Sequence, residues 1–83
     1  MWQNGILYYP GGIDASKQAQ KMRQTFYKEL DWIKRESISS EFRWEQFYHY
    51  VTYTMRNGNK YEYMEDNDYM IPYWIKRIEK ETN

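Results

Sequence analysis

Cysteine is absent from these 83 residues, and histidine occurs once, at His49. The first absence removes disulfide staples, thiolate zinc sites and a cysteine nucleophile. The second removes any two-histidine metal site within one chain. No apolar run approaches the roughly 18 residues that a bilayer-spanning helix needs. The opening Met1-Trp2-Gln3-Asn4-Gly5 also lacks the charged and apolar regions of a signal peptide. The chain therefore reads as a complete, single-domain cytoplasmic protein with no membrane partner. Net charge is missing too: twelve Lys and Arg cancel twelve Asp and Glu, so no global field draws the chain to nucleic acid.

Catalytic signatures are equally sparse. No serine sits in a Gly-x-Ser-x-Gly elbow, and Gly11-Gly12 lacks the spacing of a phosphate or dinucleotide loop. Glu62 and Glu65 form the one paired-carboxylate candidate, but adjacent acids on a hairpin end are more often a solvated edge. The expectation is no enzyme, no catalytic or metal-binding residue and no cofactor.

What the chain does have is aromatic rings. It holds ten Tyr, four Trp and three Phe against few aliphatic residues, so aromatics must help to fill the core. Eight of them fall between Phe42 and Tyr63, around Asn57-Gly58. Asn-Gly between two alternating runs predicts a β-hairpin with positive φ at both turn residues. Phe47, His49, Val51, Tyr53 and Met55 fall on one face of the first strand, and Tyr48, Tyr50, Thr52 and Thr54 on the other. A two-residue loop pairs Thr54 with Tyr61, Thr52 with Tyr63 and Val51 with Met64. That register puts Tyr61 and Tyr63 on the same face as Tyr48 and Tyr50.

Elsewhere, Gly5 to Tyr9 reads as a strand ended by Pro10-Gly11-Gly12. Asp14 reads as an N-cap with Ile13 as its hydrophobic staple, and Ala15, Ala19, Met22, Phe26, Leu30 and Ile33 recur at helical spacing to about Arg35. Glu36 to Ser40, with three serines, reads as a linker. From Glu41 to Met55 the phase of alternation slips near Gln46, which a bulge or short helical turn explains. Strand-forming Tyr50 to Thr54 favours strand over helix there. Asp66-Asn67-Asp68 reads as the cap of a last helix, with Pro72 in its first turn and Ile71, Trp74, Ile75 and Ile78 on its apolar face. The predicted fold is α+β, in the order β-α-β-β-α, an antiparallel sheet with helices on one side. A three-helix bundle is the alternative if residues 41–55 are helical.

Two binding readings follow, with self-association as a third. Residues 57–83 carry four basic and six acidic side chains, and Glu62, Glu65, Asp66 and Asp68 fall together. Interleaved with Tyr61, Tyr63, Tyr69 and Tyr73, they make an acidic and aromatic strip suited to a basic groove on a larger host protein. Phage anti-CRISPR and anti-restriction proteins are similar in size and character, although no motif ties the chain to a named family. On that analogy the expected role is a phage or mobile-element inhibitor of a host nuclease or defence complex. Capping accounts fully for Asp66 and Asp68, which leaves Glu62 and Glu65 as the surplus. The alternative is nucleic-acid binding, with single-stranded bases stacked on Tyr48, Tyr50, Tyr61 and Tyr63 beside Arg43, Arg56 and Lys60. A homodimer or larger homo-oligomer pairing its own aromatic surface is the third.

Overall fold

The computed structural model describes residues 2–11 and 16–78. One helix packs on a five-stranded antiparallel sheet, an α+β domain. The elements are β1 (Ile6–Tyr8), α1 (Lys17–Glu36), β2 (Ser37–Trp44), β3 (Tyr48–Met55), β4 (Lys60–Asp66) and β5 (Pro72–Ile78), with sheet order β1-β5-β4-β3-β2. Strands β2 to β5 form a meander of nearest neighbours. Strands β1 and β2 lie on opposite edges, so α1, about 30 Å long, carries the chain across the sheet between them.

Helix α1 starts at Ser16, whose Oγ accepts from the Ala19 amide at 3.1 Å. The expected cap Asp14, the staple Ile13 and the first stripe residue Ala15 lie outside the described residues. Ala19, Phe26, Leu30 and Ile33 bury one stripe against Leu7, Tyr53, Met55, Tyr63 and Ile75. Phe26, Ile33 and Ile75 are fully enclosed. Aromatic rings do fill the gaps: Tyr9 meets Phe26 edge-on at 5.2 Å, and Tyr63 lies 6.3 Å from the same ring.

Several local expectations are corrected. The serine-rich linker is the start of β2. Ser37 ends the helix by donating its amide to the Ile33 carbonyl, then turns directly into extended backbone at ψ 147°. A bulge between Ser37 and Ser39 absorbs the change of direction. The phase slip near Gln46 is a chain reversal, because residues 45–47 link β2 to β3 and Glu45 N–H donates to the Tyr48 carbonyl at 2.8 Å across the turn. With residues 41–55 forming two strands, the three-helix bundle falls.

The final helix is instead strand β5. Asp66 does cap, but it caps a loop: its Oδ1 accepts from the Tyr69 and Ile71 amides at 3.2 and 2.9 Å, and Met70 takes φ 57°. Pro72 then occupies the first strand position, where proline is tolerated. The backbone beyond it is claimed on both sides, by β4 and by β1. A short amphipathic run satisfies its amides in either conformation, and two unpaired edges decide for strand.

The hairpin stands where it was expected, with a different loop. Gly58 takes φ 89°, whereas Asn57 does not have positive φ. Gly58 N–H donates to the Met55 carbonyl, and Met55 N–H to the Asn59 carbonyl, so three residues, 56–58, make the connection. The extra residue shifts the register by one. Tyr61 faces Tyr53 and Tyr63 faces Val51, and a slip of one moves both tyrosines to the other side of the sheet. The turn expected at Asn57-Gly58 is found at the other Asn-Gly pair. Asn4 and Gly5, at φ 52° and 78°, close a tight reversal in which Gln3 and Ile6 exchange both backbone bonds.

Candidate functional site

The helix covers one face of the sheet. Among the described residues no helix covers the other. The pairing registers place side chains on this open face in tiers. One tier crosses all five strands as Tyr8, Trp74, Met64, Tyr50 and Arg43, about 19 Å at the usual strand spacing. Beside it lie Tyr48 and Asp66, together with Tyr73, which the irregularity between Met64 and Glu65 leaves as an extra residue on β5. On the opposite flank run Ile6, Lys76, Glu62, Thr52 and Glu41, and then Ile78, Lys60, Thr54 and Ser39.

The rings on this face touch one another. Tyr50 and Trp74 are 6.2 Å apart, and Tyr48 meets Tyr73 edge-on at 5.2 Å. The Arg43 guanidinium sits 4.4 Å above the Tyr50 ring, a cation–π arrangement. Glu45 at 3.4 Å and Glu62 at 3.9 Å hold that guanidinium from two sides. Desolvation, followed by the adjacent Tyr48 phenol, raises the Tyr73 hydroxyl above the ordinary phenol value. Arg43, Lys60 and Lys76 stand against Glu41, Glu45, Glu62 and Asp66, so the formal charges on the face nearly balance, with one acid in excess.

The structure brings only some of the expected residues together. Tyr48, Tyr50 and Tyr73 share the open face with Glu62, Lys60 and Asp66. Tyr61 and Tyr63 lie on the helix side, with Tyr63 buried in the core and Tyr61 packed against it. Asp68 and Tyr69 are exposed in the loop between β4 and β5, and Arg56 is exposed in the hairpin loop. Of this tier, Tyr8 stood outside every expected site, whereas Arg43 was expected beside the stacking tyrosines and Trp74 among the interface aromatics, on a final helix. Reading residues 72–78 at period 2 would have brought Trp74 onto the face of Tyr50.

Glu65 is separated from Glu62 and sits in a polar network on the helix side. His49 is buried, with Nε2 2.9 Å from Glu65 Oε1 and Nδ1 2.9 Å from Asn67 Oδ1. The Tyr63 hydroxyl donates to Glu65 Oε2. Asn67 Nδ2 donates to the carbonyls of Glu45 at 2.8 Å and Gln46 at 3.2 Å, which turns its amide oxygen toward the ring. His49 Nδ1–H is therefore a donor, and one proton serves the contact between Nε2 and Glu65. Burial, and then the bond to Glu65, push the Tyr63 phenol well up. Phe42 stacks on the His49 ring at 5.2 Å, and Trp44 lies 4.8 Å from it. The network ties two turns to the sheet and is closed to a substrate.

Among the described residues no cluster of three His, Cys, Asp or Glu side chains is placed to hold a metal ion. No helix among them is long and apolar enough to cross a membrane. No protein-family model matches the chain, and no similar curated protein or solved structure was found.

Proposed function

We infer that this chain is a non-enzymatic protein-binding module whose open sheet face docks on a larger partner. The observation that carries the reading is the tier of Tyr8, Trp74, Met64, Tyr50 and Arg43 on a face whose formal charges nearly balance. Tyr, Trp, Met and Arg are the residues that interfaces enrich, and rigid rings lose little entropy on docking. Their placement on strands rather than loops presents them in fixed geometry. The expected inhibitor of a host nuclease or defence complex fits within this reading through its aromatic component. Its acidic component has thinner support, since Glu62 is shared with Arg43 and Glu65 faces inward.

A second reading, stacking of single-stranded nucleic acid, draws on Tyr48, Tyr50 and Trp74 lying together beside Arg43 and Lys76. Charge balance opposes it, because backbone affinity grows with the phosphates neutralised. Affinity capture from native cells with parent, Tyr50→Ala and Trp74→Ala baits, each checked for folding, tests the first reading. A partner retained by the parent should be lost by both variants, each ring being worth about 2 kcal/mol or more at an interface centre. A partner that binds both variants as well as the parent refutes the open-face site. Tight, steeply salt-dependent binding of a single-stranded oligonucleotide would transfer the face to the second reading.

A further inference from the structure

We propose that strand β2 is a homodimerisation edge, at which two copies of this chain pair antiparallel about Phe42 and continue their sheets into one. This inference is independent of what occupies the open face.

Strand β2 is eight residues long, stands at the edge of the sheet, and is exposed from Ile38 to Trp44. The helix covers the inner strands and leaves the β2 end of its face bare, so Phe42 and Trp44 are 53% and 61% exposed. An edge of that length, with large rings beside unpaired backbone groups, is a template for another strand. The outward-facing groups are identifiable. Glu45 N–H points to β3, where it donates to the Tyr48 carbonyl, and the direction alternates along a strand. Ser40, Phe42 and Trp44 therefore turn their N–H and C=O outward.

Charge then selects the occupant and the register. On β2 the open-face side chains include Glu41 and Arg43, of opposite sign and two residues apart. In a two-fold pairing centred on Phe42, Glu41 of each copy stands opposite Arg43 of the other, in the closely spaced non-hydrogen-bonded position. Phe42 exchanges both backbone bonds with its own image, and Ser40 does so with Trp44, using the groups that point outward. Centring on Glu41 or on Arg43 sets like charges face to face. Centring on Ser40 meets the bulge between Ser37 and Ser39, and centring on Trp44 runs off the strand at Glu45. A self-complementary patch of this kind is what an isologous interface requires. On the helix side the same register stacks Phe42 on Phe42 and gathers both Trp44 rings into one apolar strip. The edge charges that would repel an arbitrary strand attract this one.

Sedimentation equilibrium of the full chain, with folding checked by circular dichroism, tests the proposal. The parent should dimerise reversibly. Glu41→Arg turns both cross-strand pairs into Arg–Arg contacts, and Glu41 faces only Thr52 within its own sheet, so the fold is spared. Its dimer dissociation constant should rise about tenfold or more. Adding Arg43→Glu to that variant swaps the charges and should restore the constant to within a few-fold of the parent. Ser40→Pro removes one outward N–H without touching the β3 ladder, and should weaken the dimer even where the swapped chain fails to fold. A parent that stays monomeric at every concentration overturns the proposal. So does a dimer indifferent to both Glu41→Arg and Ser40→Pro, or a folded swap that does not recover.

Discussion

Glu62 and Glu65 look interchangeable in the sequence, and the structure predicts that their removal has very different costs. Glu65→Ala leaves the Tyr63 hydroxyl and His49 Nε2 without their hydrogen-bond partner, both in a buried region. His49 is 3% exposed and Tyr63 5%. Each buried polar group left unsatisfied costs about 1–3 kcal/mol, so the loss should reach roughly 2–6 kcal/mol. For a domain of this size that is about half of the whole stability, and it should lower Tm by roughly 10–30 °C. Glu62→Ala removes only a 3.9 Å ion pair to an exposed Arg43, worth about 0.5 kcal/mol or less. Glu65→Gln is the discriminating third variant. Its carbonyl accepts from Tyr63, its amide donates to His49 Nε2, and the ring keeps its Nδ1–H for Asn67, so every group is satisfied. It should stay within about 1 kcal/mol of the parent. Urea and thermal denaturation followed by circular dichroism measure all three. If Glu65→Ala proves as mild as Glu62→Ala, the network does not hold the turns to the sheet.

Gly58→Ala should cost about 1 kcal/mol or more in the same denaturation assay, because φ 89° suits only glycine, whereas Asn57→Ser should cost less since its φ is not positive; equal costs would restore the two-residue turn. Burial, and then the Tyr9 phenol, push Tyr27 up to about 12, and burial followed by Glu65 raises Tyr53 and Tyr63. The unfolded chain loses its phenol protons near ~10, so above that pH the folded state holds more protons than the unfolded. Stability should be flat below that value and fall as pH rises further. Late phenolate absorbance should coincide with loss of the circular dichroism signal, and full ionisation of all ten tyrosines with the fold intact would refute it.

The helix was legible because its apolar residues repeat at three and four from Ala19 to Ile33, which no strand accommodates, and all of them but the exposed Met22 are buried. The two faces of β3 were legible for the matching reason, a strict alternation from Tyr48 to Met55. What failed was set by distant partners. Trp74, Ile75 and Ile78 behind a capping Asp66 suit a helix start, and only the edges of β1 and β4 turn them into strand. The hairpin register hung on a single loop residue, since Asn-Gly serves either a two-residue or a three-residue loop. That one residue separated Tyr61 and Tyr63 from Tyr48 and Tyr50, and so divided the expected base-stacking platform between two faces. The aromatic site was visible in composition, and its membership was a matter of register.

The pairing of the first strand with the last has a consequence for the order of events in folding. The meander from β2 to β5 closes by short reversals, each joining neighbours in the chain. The bonds of β1 join Ile6 to the level of Lys76, with nearly the whole polypeptide between them. Such closure carries the largest entropy cost and comes late, after the ribbon and helix have met. A strand of three residues thereby acts as a latch, seating Leu7 beside Ile75 and covering the open edge of β5. Because Ile6 and Ile78 end at the same side of the sheet, a short peptide joining the start of β1 to the end of β5 would make the latch permanent. The hairpin loop at Asn57 and Gly58 would then be a natural place to open new ends, turning the slowest contact of the chain into a local one.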